Sequence, residues 1–215
     1  MRFRDRREAG RKLLELVRKW DVRPDLVLAI PRGGVVVGYE VATGLNAGLD
    51  IVMVRKIGVP GNPELAAGAV SEDGEVYVEQ EVLDLRELDE SYVRERAATM
   101  LEEVRERAKR LRGGAERIDV RDANVLLVDD GMATGSTMIA GLRSVRRLGA
   151  KGVSVAVPVS SREAMLRVSR EADKAEALLV PEEFFAVGEF YEHFPQVEDD
   201  EVVELLRSAR RSRWA

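Results

Sequence analysis

Residues 125–138 read VLLVDDGMATGSTM. An aliphatic run leads straight into two adjacent carboxylates, Asp129 and Asp130, and then into a loop of small and hydroxylated residues. The apolar run has the length and composition of a strand buried on both faces. Carboxylates at the end of such a strand are costly unless they find a partner. Gly131, Thr134, Gly135, Ser136 and Thr137 leave backbone N–H groups open to approach and add hydroxyls where a helix begins, an arrangement that binds a phosphate monoester. The acids upstream can accept hydrogen bonds from the vicinal diol of a sugar, or hold waters around a Mg²⁺ ion. A plain polar turn with a Ser or Thr N-cap needs one hydroxyl and no paired acids. The chain contains no G-x-x-x-x-G-K-[ST], so no Walker lysine reaches a nucleotide phosphate.

Outward from this motif, apolar runs alternate with helical patterns. Strands are expected at 25–30, 50–56, 124–129, 153–159 and 175–180. A pair of strands is expected within 66–80, around a turn at Asp73-Gly74. Helices are expected at 5–20, 35–48, 89–112, 136–149, 161–172 and 200–211. The stretch IGVPGNPE (57–64) holds two prolines and two glycines and reads as a loop. The alternation predicts an α/β fold, an open, mostly parallel twisted sheet flanked by helices, as a single domain over 1–215. In such sheets ligands bind beyond the carboxyl ends of the strands. Three segments follow predicted strands and can line that edge: PRGG (31–34), RKIGVPGNPE (55–64) and DDGMATGST (129–137).

Bulk composition narrows the function classes. The 215 residues are 45% hydrophobic and 34% charged, with interspersed signs and a net charge of −5, which speaks against a nucleic-acid binder with a basic stripe. No apolar run approaches the roughly 20 residues that cross a bilayer. The charged opening MRFRDRRE does not read as a signal peptide, and cysteine is absent, so a cytoplasmic protein without membrane partners is expected. One histidine and no cysteine exclude zinc sites built on Cys/His clusters.

VLLVDDGMATGSTM resembles the phosphoribosyl-pyrophosphate (PRPP) motif of the type I phosphoribosyltransferases. The resemblance implies that Asp129 and Asp130 bind the ribose hydroxyls, and hold Mg²⁺ through water. It implies that Met132, Ala133, Thr134, Gly135, Ser136 and Thr137 bind the 5′-phosphate. The turn IPRGG (30–34) resembles the family's pyrophosphate loop, with Pro31, Arg32 and Gly33 at the pyrophosphate and a cis peptide at Pro31–Arg32. VRKIGVPGNPELAAGAVSEDG (54–74) is similar to the basic pair and mobile loop of adenine phosphoribosyltransferases. That likeness makes Arg55 and Lys56 pyrophosphate-binding catalytic residues and Glu72 the group managing the acceptor's proton. Members that act on 6-oxopurines carry an Asp in the phosphate loop where this chain has Ala133, so guanine and hypoxanthine are disfavoured.

The expected reaction transfers phosphoribosyl from PRPP to a purine-like nitrogen base, with Mg²⁺ as cofactor and pyrophosphate released. The alternative is a PRPP-sensing regulator with little catalysis. Four of the five phenylalanines lie between 184 and 194. The segment 181–199 is a candidate hood over the acceptor, with Phe184 or Phe185 stacking on its ring, or else a hydrophobic cluster closing the sheet edge. Trp20 reads as core and His193 as a surface or interface residue. The family resemblance implies a homodimer.

Overall fold

The computed structural model describes residues 2–213. Helix α1 (Arg6–Val17) is capped by Asp5, whose side chain accepts from the Glu8 N–H at 2.8 Å, and it buries Ala9, Leu13, Leu14 and Val17. Strand β1 (Leu26–Ala29), helix α2 (Gly33–Leu45) and strand β2 (Gly48–Ile51) follow as a parallel crossover unit. The chain then leaves this sheet. Strands β3 (Val54–Val59), β4 (Asn62–Ser71) and β5 (Val76–Val78) form a separate antiparallel sheet, trailed by α3 (Gln80–Arg86) and the long α4 (Glu90–Leu111). It returns with β6 (Asn124–Val128), α5 (Ser136–Arg147), β7 (Gly152–Val159), α6 (Arg162–Ser169) and β8 (Lys174–Leu179). A short 3₁₀ turn (Val187–Phe190) and α7 (Asp199–Arg213) complete the described chain.

The main sheet has the order β2-β1-β6-β7-β8 and is parallel throughout. Its direction of growth reverses between β1 and β6, which makes that pair the switch point where such sheets open a crevice. The register sets Ala29 beside Val128, so the turn after β1 and the acid pair after β6 emerge side by side. Both sheet faces are covered. Val27, Ala29, Leu126 and Val128 belong to one core cluster with residues of α1, α2, α4 and α7, while Leu26, Leu28, Val125 and Leu127 belong to another with residues of α5 and α6. The two sets alternate along each strand, as the period of two requires.

Two expectations are corrected. The run 50–56 is not one strand but the end of β2 and the start of β3, with Val52 and Met53 carrying the chain between sheets. The Pro/Gly stretch 57–64 is not a loop but a tight hairpin, in which Gly61 (φ +77°) supplies the left-handed corner after Pro60 and β4 resumes at Asn62. Helix α3 was not anticipated. The segment 181–199 lies against the sheet edge. Tyr191 bridges Phe3, and with Phe184, Val187, Phe190 and Phe194 it builds a third cluster at the sheet edge. The expected domain extends, at Met1, Trp214 and Ala215, outside the described residues. Among those described, no helix is long and apolar enough to cross a membrane.

Candidate active site

The loop after β6 begins with the acids. Asp129 lines a cavity of about 130 Å³ together with Lys56, Met132, Ala133, Thr134, Gly135 and Thr137, roofed by Val187. Gly135 (φ +80°) turns the chain into α5, whose first-turn N–H groups have no intrahelical acceptors; that of Ser136 donates to Thr134 Oγ1 at 3.5 Å, and those after it can face an anion. Burial pushes the Asp129 carboxyl well above the usual carboxylate range, and the neighbouring Asp130 adds to this, while Lys56 opposes it.

Asp130 is turned elsewhere. Its Oδ2 accepts from Arg6 Nε at 2.7 Å, and the Arg6 guanidinium lies 3.7 Å from the centre of the Phe194 ring and donates to the Pro195 carbonyl at 2.7 Å. Burial raises the Asp130 carboxyl too, but Arg6 opposes the shift directly. A Cβ on Gly33 would stand 1.9 Å from Asp130 Oδ2, so only glycine lets the turn after β1 lie against the acid pair. The peptide between Pro31 and Arg32 in that turn is cis, at the bond the resemblance indicated.

Arg55 and Lys56 are neighbours on β3 and therefore point to opposite sides. Lys56 enters the phosphate-loop cavity. Arg55 enters a second cavity of about 280 Å³, which it lines with Pro31, Arg32, Met53, Glu103 and Arg107. There Arg55 is ion-paired with Glu103, and Arg32 with Asp199 at 3.4 Å and Glu198 at 3.7 Å.

Four residues with expected roles, Ser136, Met132, Glu72 and Phe184, have partners within the protein. The Ser136 hydroxyl is buried and donates to Glu79 Oε2 at 3.0 Å, so it does not face the cavity. Glu79 in turn accepts from Arg167, which also donates to the Thr134 carbonyl at 3.2 Å, and this network braces the phosphate loop from behind. The Met132 N–H is taken by the Val159 carbonyl at 2.9 Å, which pins the loop to β7 instead of offering that amide to a ligand. Glu72 is bound by Arg112 through both oxygens (2.7 and 2.9 Å), and it also accepts from the Met53 N–H at 3.0 Å. In this arrangement both Glu72 oxygens are engaged within the protein, whereas the proton role expected of it needs an oxygen turned to the acceptor. Phe184 stacks on Phe190 with ring centres 5.4 Å apart, whereas Phe185 is 80% exposed.

Trp20 is core and His193 exposed, as the sequence indicated. Arg6, Glu79, Arg107, Arg167 and Val187 were not singled out in the sequence, where they are indistinguishable from solvated charges or a loop aliphatic. Among the described residues no group of three or more His, Cys, Asp or Glu side chains could hold a metal by itself. The single cavity-facing Asp129 fits a Mg²⁺ ion that keeps most of its oxygens from water and a polyphosphate, as that ion commonly does.

A parallel sheet with a phosphate-sized loop, an acid pair and a Pro-Arg-Gly-Gly turn at its switch point defines the class as phosphoribosyltransferase-like. The chain belongs to the phosphoribosyl transferase domain family, which it matches over residues 6–188. It is 41% identical over 209 residues to two Mycobacterium tuberculosis proteins, "Putative phosphoribosyl transferase Rv0571c" and its counterpart in strain CDC 1551 / Oshkosh. The match covers 97% of this chain and 47% of each relative, so the chain spans about half their length. Among solved structures, TT1426 from Thermus thermophilus is 45% identical with a TM-score of 0.82, over 97% of this chain and 99% of that one.

Proposed function

We propose that the protein transfers a phosphoribosyl group from PRPP to a nitrogen base and releases pyrophosphate. The observation that carries this reading is the pair of cavities on either side of β3. One is a phosphate-sized cavity holding Asp129, Lys56 and the 131–137 loop, and the other is a larger, arginine-lined one at the cis turn. A donor with a phosphate at one end and a diphosphate at the other matches that pairing. In this reading Lys56 and the loop amides of Ala133, Thr134, Gly135 and Thr137 hold the 5′-phosphate, and Asp129 orients the ribose hydroxyls. Arg32 and Arg55 stabilise the departing pyrophosphate by charge-assisted hydrogen bonds. The bond from ribose C1 to the diphosphate oxygen breaks as the nitrogen lone pair adds to C1. The transition state carries oxocarbenium character, so charge placement does most of the work. Mg²⁺, held at Asp129 through water, would neutralise diphosphate charge when bound. Val187 and the exposed Phe185 mark the acceptor side, and Ala133 favours a base other than a 6-oxopurine.

The tied-up Glu72 favours a second reading, a PRPP sensor, because a catalyst needs a route for the acceptor's proton. Calorimetric titration of Mg²⁺-PRPP, followed by a pyrophosphate-release assay across a panel of nucleobases, separates the two. Binding with release for one base supports the transferase and names the acceptor. Binding without release for any base supports the sensor. Absence of binding refutes both.

A further inference from the structure

Asp199, the first residue of α7, is held by three guanidinium groups, two from α4 and one from the turn after β1. Arg107 of α4 lies at 3.1 Å, Arg32 of the cis turn at 3.4 Å and Arg110 of α4 at 3.7 Å. Glu198 adds a second, mostly exposed carboxylate at 3.7 Å from Arg32, so cations still outnumber carboxylates in the cluster, and Arg107 and Arg110 share Asp199. Two of those arginines, with Arg55, line the 280 Å³ cavity at the carboxyl edge of the sheet. Arg55 is itself held by a glutamate, Glu103 of α4. Asp199 and Arg107 are both about one-third exposed, so neither is locked in the interior. Both are free to exchange partners at moderate cost.

The geometry points to Arg107 as a further ligand of the donor's diphosphate and to Asp199 as an internal anion that holds the arginines until the diphosphate displaces it. The inference rests on the phosphoribosyltransferase reading for the identity of the ligand. It adds a residue from α4, a helix whose charged face read in the sequence as an ordinary solvated surface. A diphosphate offers more charge and more acceptor oxygens than a single carboxylate, and planar guanidinium groups match such oxygens with paired N–H donors. The exchange is therefore favourable when diphosphate is present, and Asp199 lowers apparent affinity because it competes for the same donors.

The test is calorimetry of the full chain with Mg²⁺-pyrophosphate and, separately, with ribose 5-phosphate, on the wild type, Arg107→Gln and Asp199→Asn, with the fold checked by circular dichroism. Arg107→Gln should weaken pyrophosphate by about 10-fold, the scale of one charge-assisted contact. Asp199→Asn should tighten it by a few-fold, on the order of what removing a modest internal competitor gives. Ribose 5-phosphate, which reaches only the Lys56 cavity, should bind all three proteins equally. A purely structural Asp199 would weaken both ligands or neither. Unchanged or weaker pyrophosphate binding by folded Asp199→Asn overturns the inference, as does unchanged binding by Arg107→Gln or a wild type that ignores pyrophosphate. Failure of ribose 5-phosphate to bind any variant would instead count against the phosphoribosyl reading, and the pyrophosphate results would still decide the roles of Arg107 and Asp199.

Discussion

Replacing Arg112 with methionine tests the buried ion cluster that joins α4 to both sheets. Arg112 caps α4, and its guanidinium is 5% exposed. It donates to Asp50 Oδ1 at 2.9 Å, to the two oxygens of Glu72 at 2.7 and 2.9 Å, and to the Ile51 carbonyl at 2.8 Å. Burial works against its charge, but the bonds and charges of Glu72 and Asp50 outweigh burial and hold it protonated. Methionine fills similar space and leaves two carboxylates, 0% and 9% exposed, without their cation. Breaking a buried pair in this way costs about 3–5 kcal/mol. The lower part of that range applies, because Asp50 still accepts from Ile51 and Ile118 N–H groups at 2.8 Å and Glu72 from Met53 at 3.0 Å. At an unfolding entropy of about 2.1 cal/mol/K per residue, about 3–4 kcal/mol lowers the melting temperature of this chain by roughly 7–9 °C. Thermal and urea unfolding of Arg112→Met, Glu72→Gln and the double variant would measure it, with a coupling of about 2 kcal/mol expected between the two sites. A loss below about 1 kcal/mol in Arg112→Met, or additive effects in the double variant, would refute the argument.

Asp129→Asn should raise the melting temperature at neutral pH by about 2–4 °C, because the ionised carboxylate is disfavoured by burial and the amide keeps the acceptor for the Asp130 N–H. If Mg²⁺-PRPP binds as proposed and raises the melting temperature of the wild type, the same variant should lose that shift, and a destabilised protein would contradict this account of Asp129. Burial, reinforced by Glu79 at Tyr77 and by Asp130 at Tyr191, raises both phenols above their ordinary value of 10.0. A raised acid keeps its stabilising contribution below the unfolded value and loses it as pH climbs beyond, so stability should fall above about pH 10. Phenolate absorbance of these two tyrosines should then appear together with unfolding, and early ionisation in folded Tyr77→Phe and Tyr191→Phe difference titrations would show otherwise. Phe185→Ala should change stability by less than about 0.5 kcal/mol while raising KM for the acceptor, whereas Phe184→Ala should cost about 1–3 kcal/mol through its lost packing on Phe190. Equal effects in denaturant melts would show that the two rings are not divided in this way.

The phosphate loop was legible because its chemistry is local. Strand, acids, small residues and helix start follow one another within 125–138, and the structure keeps them in that order around one cavity. The cis bond at Pro31–Arg32 was expected only from the family resemblance of IPRGG, because the turn by itself reads as an ordinary strand-to-helix connection. What a side chain does when several compete for it was not legible. Asp130 and Ser136 sit within the motif, yet Arg6, 124 positions away, and Glu79, 57 positions away, claim them. The partner of Glu72 was not legible, because an acidic residue in a turn gives no sign that Arg112 will reach it from the end of α4. The hairpin at 57–64 was missed because prolines and glycines mark a tight two-strand turn as readily as an open loop, and only the pairing of β3 with β4 distinguishes them.

Strand β3 presents Lys56 to one cavity and Arg55 to the other, one residue apart. If both cations bind anions as proposed, their successive positions on a paired strand behave as the marks on a ruler. They are separated by about 3.3 Å along the strand and by the full width of the backbone across it, and the hydrogen bonds to β4 fix both. Shifting the hairpin by one residue would exchange their sides and misplace both charges at once. In the proposed reading this one element gauges the spacing between two anionic groups of a single ligand, and inserting or deleting a residue between Val54 and Lys56 should abolish recognition of the whole ligand, not of one end.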